Sequence, residues 1–254
     1  MTALIIQARM GSTRLPGKVL MDVNGKSILE NLLDRLSPAT GVDEIIVATT
    51  NLPEDDAIES FCANKNIKCF RGSDWDVLDR FYQAVGMLEN KPEDVIRICC
   101  DNPLHHHIVL QKVLDAYKES GADYLSNSNH EPDFLEDGFD VEVFSFHALE
   151  QAWKKADLLS QREHVTPYIK NSGEFKCEWI RTNPDYHYKL SVDTPNDLLL
   201  AQKIFSSFEN SISFGMDDVV ELLEKHPDFL EINRESEINS GYQKSLREDR
   251  KIND

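Results

Sequence analysis

A short basic loop near the start of the chain is the segment best suited to chemistry. Its cations are Arg9, Arg14 and Lys18, and small residues such as Gly11 and Ser12 lie between them. Small residues allow backbone N–H groups to turn towards a bound anion, while the cations supply positive charge. The loop is therefore predicted to bind an anionic ligand, with an ordinary basic surface turn as the alternative.

Two well-known phosphate-binding loops do not fit this segment. A Walker A loop has four residues between its glycines and a serine or threonine after its lysine. Here five residues separate Gly11 from Gly17, and Val19 follows Lys18. The glycine pattern of dinucleotide-binding folds, G-x-G-x-x-G, is also absent from the sequence, which disfavours a Rossmann dehydrogenase.

Two aspartates far apart in the sequence share the same local setting. Asp101 and Asp193 each follow a strand-like run and precede a turn that contains proline. Because the carboxyl ends of parallel strands meet at one edge of a sheet, both carboxylates should lie where such sheets bind ligands. Carboxylates are ligands that Mg²⁺ prefers, although helix-capping or turn aspartates are the alternative.

A second polar group is predicted in the middle of the chain. Asp140 and Glu142 are two positions apart in an alternating segment, so both side chains face the same way, towards a ligand or towards solvent. Arg162 and His164 lie near the start of a predicted helix. An arginine there can bind a carboxylate or phosphate with both arms of its guanidinium group, or belong to a surface cluster.

Three consecutive histidines, His105, His106 and His107, lie shortly after Asp101. Neighbouring residues on a helix are rotated by about 100°, so the three rings cannot face one ligand. One ring is expected to point towards the ligand and two to be solvated. An inward ring could contact a substrate or act as a base near neutral pH.

An alternation of strands and helices positions these residues. Strands are predicted at 3–7, 44–50, 67–70, 94–100 and 123–126. Helices are predicted to begin at Ser27 and Pro53, and to cover 74–88 and 105–120. This succession predicts an α/β fold with a mostly parallel sheet and helices on both faces.

The pattern changes after residue 126. A polar loop at 127–138 precedes strands at 139–144, 175–182 and 186–192 and helices at 146–156 and 161–171. Residues 127–190 are predicted to be an insertion in a single domain of residues 1–232, which ends after a long helix that Thr194 caps and Pro195 begins. The polar residues 233–254 are predicted to form a tail that is mobile or ordered only on demand.

Composition excludes several classes of function. The 254 residues carry 27 Lys and Arg against 45 Asp and Glu, a net charge of −18 that argues against binding to nucleic acid. No apolar run is long enough to span a membrane, and no secretory signal is read at the N-terminus. Five cysteines without a C-x-x-C motif predict reduced thiols in a cytoplasmic protein.

Six short segments share an order with one family of enzymes. They lie at 5–20, 70–80, 101–104, 138–144, 162–168 and 190–195, and include R-G-S at 71–73, D-N-P-L at 101–104 and S-V-D-T-P at 191–195. They resemble the cytidylyltransferases that activate acidic sugars, namely the 3-deoxy-manno-octulosonate and acylneuraminate enzymes. The sequence is most similar to their relatives in spore coat and flagellar polysaccharide biosynthesis. This resemblance implies a Rossmann-like sheet of the nucleotide-diphospho-sugar transferase type.

The resemblance also implies a reaction. CTP and Mg²⁺ bind, a substrate oxygen attacks the α-phosphorus, and pyrophosphate leaves. The implied catalytic residues are Arg9, Lys18, Asp101 and Asp193, with the two aspartates as metal ligands. The implied nucleotide-binding residues are Ala8, Arg9, Gly11, Ser12, Lys18, Arg71, Ser73 and Arg80, with Asp79 beside them. For Arg80, a surface ion pair with Asp76 on the same helix is the alternative.

The second substrate implied by the resemblance is an acidic sugar. The residues expected to hold it are Asp140, Glu142, Arg162 and His164, although one of the two carboxylates could help to bind the metal instead. A homodimer that forms through the insertion is also implied. The alternatives that stay open are another nucleoside triphosphate, a smaller acceptor, and a nucleotide-sugar-binding module without catalysis.

Overall fold

A seven-stranded sheet with helices on both faces forms the centre of the molecule. The computed structural model describes residues 1–128, 136–183, 186–238 and 240–252. The strands of these residues are β1 (Thr2–Gln7), β2 (Asp22–Val23), β3 (Lys26–Ser27), β4 (Glu44–Thr50), β5 (Lys68–Gly72), β6 (Asp94–Cys99), β7 (Tyr124–Ser126), β8 (Glu142–Ser145) and β9 (Cys177–Trp179). The order in the large sheet is β5-β4-β1-β6-β8-β7-β9, and β2 pairs with β3 in a separate hairpin.

Most neighbouring strands of the large sheet run parallel. β1 lies between β4 and β6 and is parallel to both, and β5 is parallel to β4. β8 is antiparallel to its two neighbours, whereas β9 is parallel to β7. The predicted α/β class and mostly parallel sheet are confirmed. The carboxyl ends of β1, β4 and β6 lie side by side, and we call this boundary the carboxyl edge.

The helices cover both faces of the sheet because alternate strand residues point to opposite sides. They are α1 (Ile28–Leu36), α2 (Asp56–Lys65), α3 (Val77–Gly86), α4 (His107–Ser120), α5 (Phe146–Lys155), α6 (Leu159–His164), α7 (Pro167–Asn171), α8 (Pro195–Ser206), α9 (Met216–Lys225) and α10 (Ser240–Arg247). Leu4 and Ile6 of β1 pack in one apolar cluster with α1, α4, α8 and α9. Ala3 and Ile5 pack in a second cluster with α3, α5 and α7.

The predicted helix starts are confirmed at two positions. The Ser27 hydroxyl accepts a hydrogen bond from the backbone N–H of Glu30 and caps α1. Thr194 caps α8 in a reciprocal arrangement with Asp197, and Pro195 is the first residue of that helix. These caps satisfy N–H groups that the helix itself leaves without partners.

The region predicted as an insertion contributes to the main sheet. β8 and β9 extend the sheet beyond β6, so this region is continuous with the core that the first half builds. The predicted helix at 161–171 is two helices, α6 and α7, separated by Val165 with φ of 69°. The predicted strand at 186–192 does not form; Leu190 and Ser191 instead donate backbone hydrogen bonds to the Asp137 carboxylate. Part of the predicted loop, 129–135, lies outside the described residues.

The tail after residue 232 is held by polar contacts in its described part. Asn233 is buried and donates hydrogen bonds to the carbonyl of Lys189 and to Asp197. α10 packs against α6, and the Asp249 carboxylate accepts from the hydroxyl of Ser160 at 2.7 Å. The polar composition of this segment predicts mobility, because composition does not show which side chains form hydrogen bonds with a distant helix. In the described residues, no helix is both long and apolar enough to cross a membrane.

Candidate active site

The basic loop folds back on a single carbonyl group. The Met10 carbonyl oxygen accepts hydrogen bonds from the backbone N–H groups of Ser12 (2.9 Å) and Gly17 (2.8 Å). Gly17 adopts a φ of 75°, a conformation that glycine reaches without steric cost. This turn brings Lys18, at the end of the loop, back beneath the carboxyl edge.

A buried carboxylate fixes the start of the same loop. Asp55 accepts a hydrogen bond from the backbone N–H of Met10 at 2.6 Å and from both the N–H and the hydroxyl of Thr50. It therefore joins the loop after β1 to the end of β4. The sequence does not reveal this role of Asp55, because an acidic residue just after Pro53 indicates only the start of a helix.

Lys18 brings the two predicted metal-site aspartates together. Its ammonium group lies 2.9 Å from Oδ2 of Asp101 and 3.0 Å from Oδ1 of Asp193. It also donates to the carbonyl of Val192 at 2.7 Å, which gives Nζ three acceptors. The Lys18 side chain is nearly buried, whereas the two carboxylates are 29% and 17% exposed. A cation from the first loop and carboxylates from two distant segments thus meet at the carboxyl edge.

The charges in this cluster support one another. Burial disfavours the charged form of Lys18, but Asp101 and Asp193 raise its pKa well above the ordinary value. Burial likewise disfavours ionised Asp193, but the charges of Lys18, Lys189 and Arg14 lower its pKa to about 2. Lys18 is therefore charged, and Asp193 ionised, throughout the physiological pH range.

Two more cations reach the Asp193 carboxylate. Nη2 of Arg14 lies 3.0 Å from Oδ1, and Nζ of Lys189 lies 3.2 Å from Oδ2. Lys189 also lies 3.2 Å from the buried carboxylate of Asp197. Lys189 could not be identified from the sequence, because a single lysine in a strand-like run does not indicate a functional role. Together these side chains form a cationic cluster suited to a polyanion.

The donor set at this cluster suits a magnesium ion. One carboxylate oxygen of Asp101 and one of Asp193 lie within 3.0 Å of Lys18 Nζ, and both aspartate side chains are partly exposed. Mg²⁺ bound with nucleotides commonly uses one or two carboxylates, with phosphate oxygens and water at the other positions. No group of three or more His, Cys, Asp or Glu side chains among the described residues is arranged to hold a metal. The oxygens of Asp101 and Asp193 could hold such an ion together with phosphate oxygens and water.

The other predicted nucleotide-binding residues of the basic loop have varied settings. Ala8 is buried and donates its N–H to the carbonyl of Ala48, whereas Arg9 is exposed. A Cβ atom at Gly11 would lie 2.8 Å from Oε1 of Glu54, which is the end of an exposed side chain that can move away. The hydroxyl of Ser12 accepts from the N–H of Leu15 at 3.4 Å, a contact within the loop.

The predicted nucleotide-binding residues Arg71, within β5, and Ser73, just after it, have contacts in the local structure. The guanidinium group of Arg71 donates to the carbonyls of Thr50 and Leu52 and pairs with Asp56 and Glu59. The Ser73 hydroxyl accepts from the N–H of Asp76 at 3.0 Å. The structure therefore uses both side chains to brace the loops around the carboxyl edge.

Asp79, which the resemblance places beside the nucleotide-binding residues, contacts side chains of α3 and α5. Its carboxylate accepts hydrogen bonds from the Trp153 indole at 2.8 Å and from the amide of Gln83 at 3.2 Å. Asp76 caps α3 and Arg80 is fully buried, so the alternative interpretation of Arg80 as a surface ion pair is wrong.

Arg80 is a buried cation with unused donors. Its side chain is fully buried, and none of its three guanidinium nitrogens has a hydrogen-bond partner among the described residues. The hydroxyl of Thr49, at the end of β4, is equally buried and without a partner in this part of the chain. Burial, together with the nearby charge of Arg9, lowers the pKa of Arg80 to about 10, so it stays charged at neutral pH. Buried donors of this kind are costly unless an acceptor completes them.

The predicted acceptor residue Glu142 is saturated by protein groups. Oε1 accepts from the hydroxyls of Tyr124 (2.7 Å) and Thr166 (2.6 Å) and lies 3.4 Å from Nζ of Lys170. Oε2 pairs with Arg97. Burial would raise the pKa of Glu142, but these cations and hydroxyls hold it well below the usual range. Glu142 therefore stays an anion, and its two oxygens already contact four protein groups.

Asp140 lies near Asp101, one of the two predicted metal ligands. It precedes β8, and its carboxylate accepts from the amide of Asn102, the residue after Asp101, at 3.1 Å. Burial and the neighbouring carboxylates of Asp137 and Asp101 raise the pKa of Asp140 to about 7. Asp140 and Glu142 thus have different settings, because only Glu142 belongs to the strand.

The structure does not place Arg162 as a free carboxylate receptor. Its guanidinium group donates to the carbonyls of Trp153 (2.9 Å) and Ala156 (3.1 Å) and lies 3.5 Å from Asp76. Nε2 of His164 lies 2.9 Å from the hydroxyl of Ser245 on α10. Both residues therefore hold α6 against its neighbours, in contacts that a single sequence does not reveal.

The prediction that two of the three histidines are solvated is wrong. His105 is fully buried beside Phe139, and neither ring nitrogen has a hydrogen-bond partner among the described residues. His106 is also buried; its ring accepts from the N–H of Ile108 and contacts the carbonyl of Ile212. Burial and the nearby charge of Arg35 lower the pKa of His105 to about 3 and that of His106 to about 4.

Comparison with known proteins identifies similar chains over nearly the whole length. A family model described as cytidylyltransferase matches residues 3–232. An uncharacterized protein of Methanocaldococcus jannaschii is 39% identical, with 96% of this chain and 97% of that protein aligned. The spore coat polysaccharide biosynthesis protein SpsF of Bacillus subtilis is 28% identical, over 88% of this chain and 94% of that protein.

Two further matches concern the enzyme class. A 3-deoxy-manno-octulosonate cytidylyltransferase of Hydrogenovibrio crunogenus is 33% identical, over 48% of each chain. The solved structure of a cytidylyltransferase from Leptospira borgpetersenii superposes with a TM-score of 0.82 at 29% identity, covering 90% of this chain and 95% of that one. The resemblance found in the sequence and the Rossmann-like nucleotidyltransferase fold are confirmed.

Proposed function

Because this chain belongs to the cytidylyltransferase family, we propose that it transfers CMP from CTP to an acidic sugar and releases pyrophosphate. The sugar class is suggested by the six segments shared with the sugar-acid enzymes and by the name of one relative, the 3-deoxy-manno-octulosonate cytidylyltransferase. The product, a CMP-linked sugar acid, would serve the synthesis of a surface polysaccharide or flagellar glycan.

The observation that carries this proposal is the meeting of Lys18 with Asp101 and Asp193. Attack at the α-phosphorus needs cations where negative charge develops on the leaving pyrophosphate, and a site for a divalent ion close by. A lysine within 3.0 Å of two partly exposed carboxylates supplies both requirements in one place. An inert binding module has no need for this arrangement.

Each side chain has a role that follows from its charge and position. Lys18, Arg14 and the exposed Arg9 bind the phosphate groups, and their fixed charges stabilise the pyrophosphate as it leaves. When CTP binds, Lys18 exchanges part of its contact with the carboxylates for contact with phosphate oxygens. Asp101 and Asp193 would hold Mg²⁺, which would neutralise phosphate charge and make the α-phosphorus easier to attack.

We assign the nucleotide to the side chain of Arg80 and the acceptor to that of Asp140. The unpartnered guanidinium group of Arg80 offers donors only, which suits the carbonyl and ring-nitrogen acceptors of a pyrimidine or a phosphate oxygen. Asp140, beside Asn102, offers a carboxylate to the hydroxyl groups of the acceptor. A homodimer remains part of the proposal from the family resemblance.

The proposal is tested by a matrix of four nucleoside triphosphates against 3-deoxy-manno-octulosonate and N-acetylneuraminate. Pyrophosphate release is measured with and without Mg²⁺. The expected result is release with CTP and one sugar acid, only when the metal is present. Release with another nucleotide would overturn the base assignment, and binding of CTP without release from any pair would favour a binding module.

A further inference from the structure

We propose that Arg97 of β6 forms a subsite for the carboxylate group of the acceptor, beneath the carboxyl edge. This inference rests on the proposed function and deepens it, since it assigns the acidic group of the acceptor to a named side chain. Arg162, the cation that the sequence suggested for this role, uses its donors elsewhere.

Arg97 is placed to be reached from the carboxyl edge. It lies on β6 four residues before Asp101, opposite Ile5 of β1 and Glu142 of β8. Val95, at the buried end of the same face, is fully buried, whereas Arg97, Cys99 and Gln7 are all partly exposed. The side chain of Arg97 is 13% exposed, so an incoming ligand group can reach it.

The guanidinium group of Arg97 has one edge to spare. Nη1 pairs with Glu142, while Nη2 makes only a long contact of 3.3 Å to the Gln7 amide oxygen. Nε is buried and has no hydrogen-bond partner within the described ranges. Nε and Nη2 lie along the edge that binds a planar carboxylate with two parallel hydrogen bonds. The free donors therefore match a carboxylate better than a lone hydroxyl group.

Glu142 does not occupy the spare edge of Arg97. Its Oε2 contacts Nη1 of Arg97, while its Oε1 accepts from the hydroxyls of Tyr124 and Thr166 and lies 3.4 Å from Nζ of Lys170. A buried donor such as Nε is costly unless an acceptor completes it.

The experiment compares the acid with its uncharged analogue. Binding of 3-deoxy-manno-octulosonate and N-acetylneuraminate, and of their C1 amides, is measured by calorimetry in the presence of CTP without metal. The same compounds are then tested for pyrophosphate release with Mg²⁺. The variants are Arg97→Gln, Arg97→Lys, and Arg97→Gln combined with Glu142→Gln, which avoids an unpaired buried carboxylate. Lys118→Gln is the matched control, because it removes an ion pair to Asp94 on the same strand, at the far end from the carboxyl edge.

The expected result is a loss of selectivity for the acid. The wild-type protein binds a sugar acid more tightly than its amide, and Arg97→Gln and the double variant weaken binding of the acid roughly 10- to 100-fold while binding of the amide changes little. Arg97→Lys keeps the charge but loses the two-pronged geometry, so it should have an intermediate effect. The effect should appear in KM for the acceptor, with KM for CTP unchanged.

Each other outcome decides between the inference and the proposed function. Equal binding of acid and amide by the wild type, no binding of either acid, or an equal loss in the Lys118→Gln control would overturn the inference. Selective binding that depends on Arg97, but without pyrophosphate release from any nucleotide, would overturn the proposed transfer reaction and leave the carboxylate subsite standing.

Discussion

The ammonium group of Lys18 lies 3.0 Å from Oδ1 of Asp193, although 175 positions separate the two residues in the sequence. This contact joins the basic loop at the start of the chain to the last of the six shared segments. Asp193 in turn holds Arg14 and Lys189, so one carboxylate organises three cations. The proposed catalytic roles of Lys18, Asp101 and Asp193 depend on this cluster.

Replacing Lys18 by methionine should lower the rate of pyrophosphate release by roughly 100- to 1,000-fold, because one fixed cation is lost where charge develops on the leaving group. The rate is measured at saturating CTP, and the fold is checked by circular dichroism. Lys26→Met is the control, since Lys26 forms only a half-exposed ion pair with Asp34 in the β2–β3 hairpin region. Equal rates in the wild type and Lys18→Met would remove Lys18 from the catalytic machinery.

Removal of divalent metal should abolish turnover, and Mg²⁺ should restore it. Asp101→Asn and Asp193→Asn should each need a higher Mg²⁺ concentration for half-maximal rate, with turnover reduced at least about 100-fold, because an amide oxygen is a weaker ligand than a carboxylate. The measurement is pyrophosphate release across a Mg²⁺ titration after treatment with a chelator. A Mg²⁺ dependence that is the same in Asp101→Asn as in the wild type would exclude Asp101 as a metal ligand.

The central part of the fold could be predicted from sequence because its signals are local. The apolar run of β1, the Ser27 cap and the Thr194-Pro195 helix start each need only a few neighbouring residues. The position of Asp101 could be predicted because it follows β6, and parallel strands bring their carboxyl ends to one edge. Lys18 and Asp193 lie outside the strands of the sheet, and it is the order of the six shared segments that indicates their roles.

The remaining site features depend on contacts that are distant in sequence. Whether Arg162 or Arg97 has a free donor is decided by carbonyl and carboxylate groups on other elements, which no local pattern reveals. The predicted strand at 186–192 does not form for a similar reason. Asp137, more than 50 positions away, accepts hydrogen bonds from the backbone N–H groups of Leu190 and Ser191, as a neighbouring strand would. The burial of His105 follows from packing against Phe139 rather than from its own helix.

Gly138 should be the glycine least tolerant of substitution near the site. Its φ is 91°, and a Cβ atom there would lie 2.8 Å from the Leu190 side chain and 3.0 Å from the Leu190 backbone. Gly138→Ala should therefore lower the free energy of unfolding by about 3 kcal/mol, from backbone strain and overpacking together, measured by urea denaturation. Gly25→Ala is the control, because Gly25 has a φ of 86° but open space around it. If the two variants lose equal stability, the close approach to Leu190 costs nothing.

The free energy of unfolding should fall as the pH is lowered from 7 to 5, with His105 as one cause. Burial lowers the pKa of His105 to about 3, whereas the unfolded chain binds a proton near 6.5. A lowered folded-state pKa gives stability that is complete above the unfolded value and is lost as the pH falls towards the folded one. Between pH 6.5 and pH 5 this loss amounts to about 2 kcal/mol for one such group.

His105→Phe should remove that part of the pH dependence, because phenylalanine binds no proton in either state. The measurement is urea unfolding at a series of pH values, with the slope of the unfolding free energy compared between variants. His226→Phe serves as the control, since His226 is exposed on the surface after α9. His106 and His164, whose pKa values burial also lowers, should account for part of the slope that remains in His105→Phe. A slope in His105→Phe identical to that of the wild type would show that His105 is protonated as easily in the folded protein as in the unfolded chain.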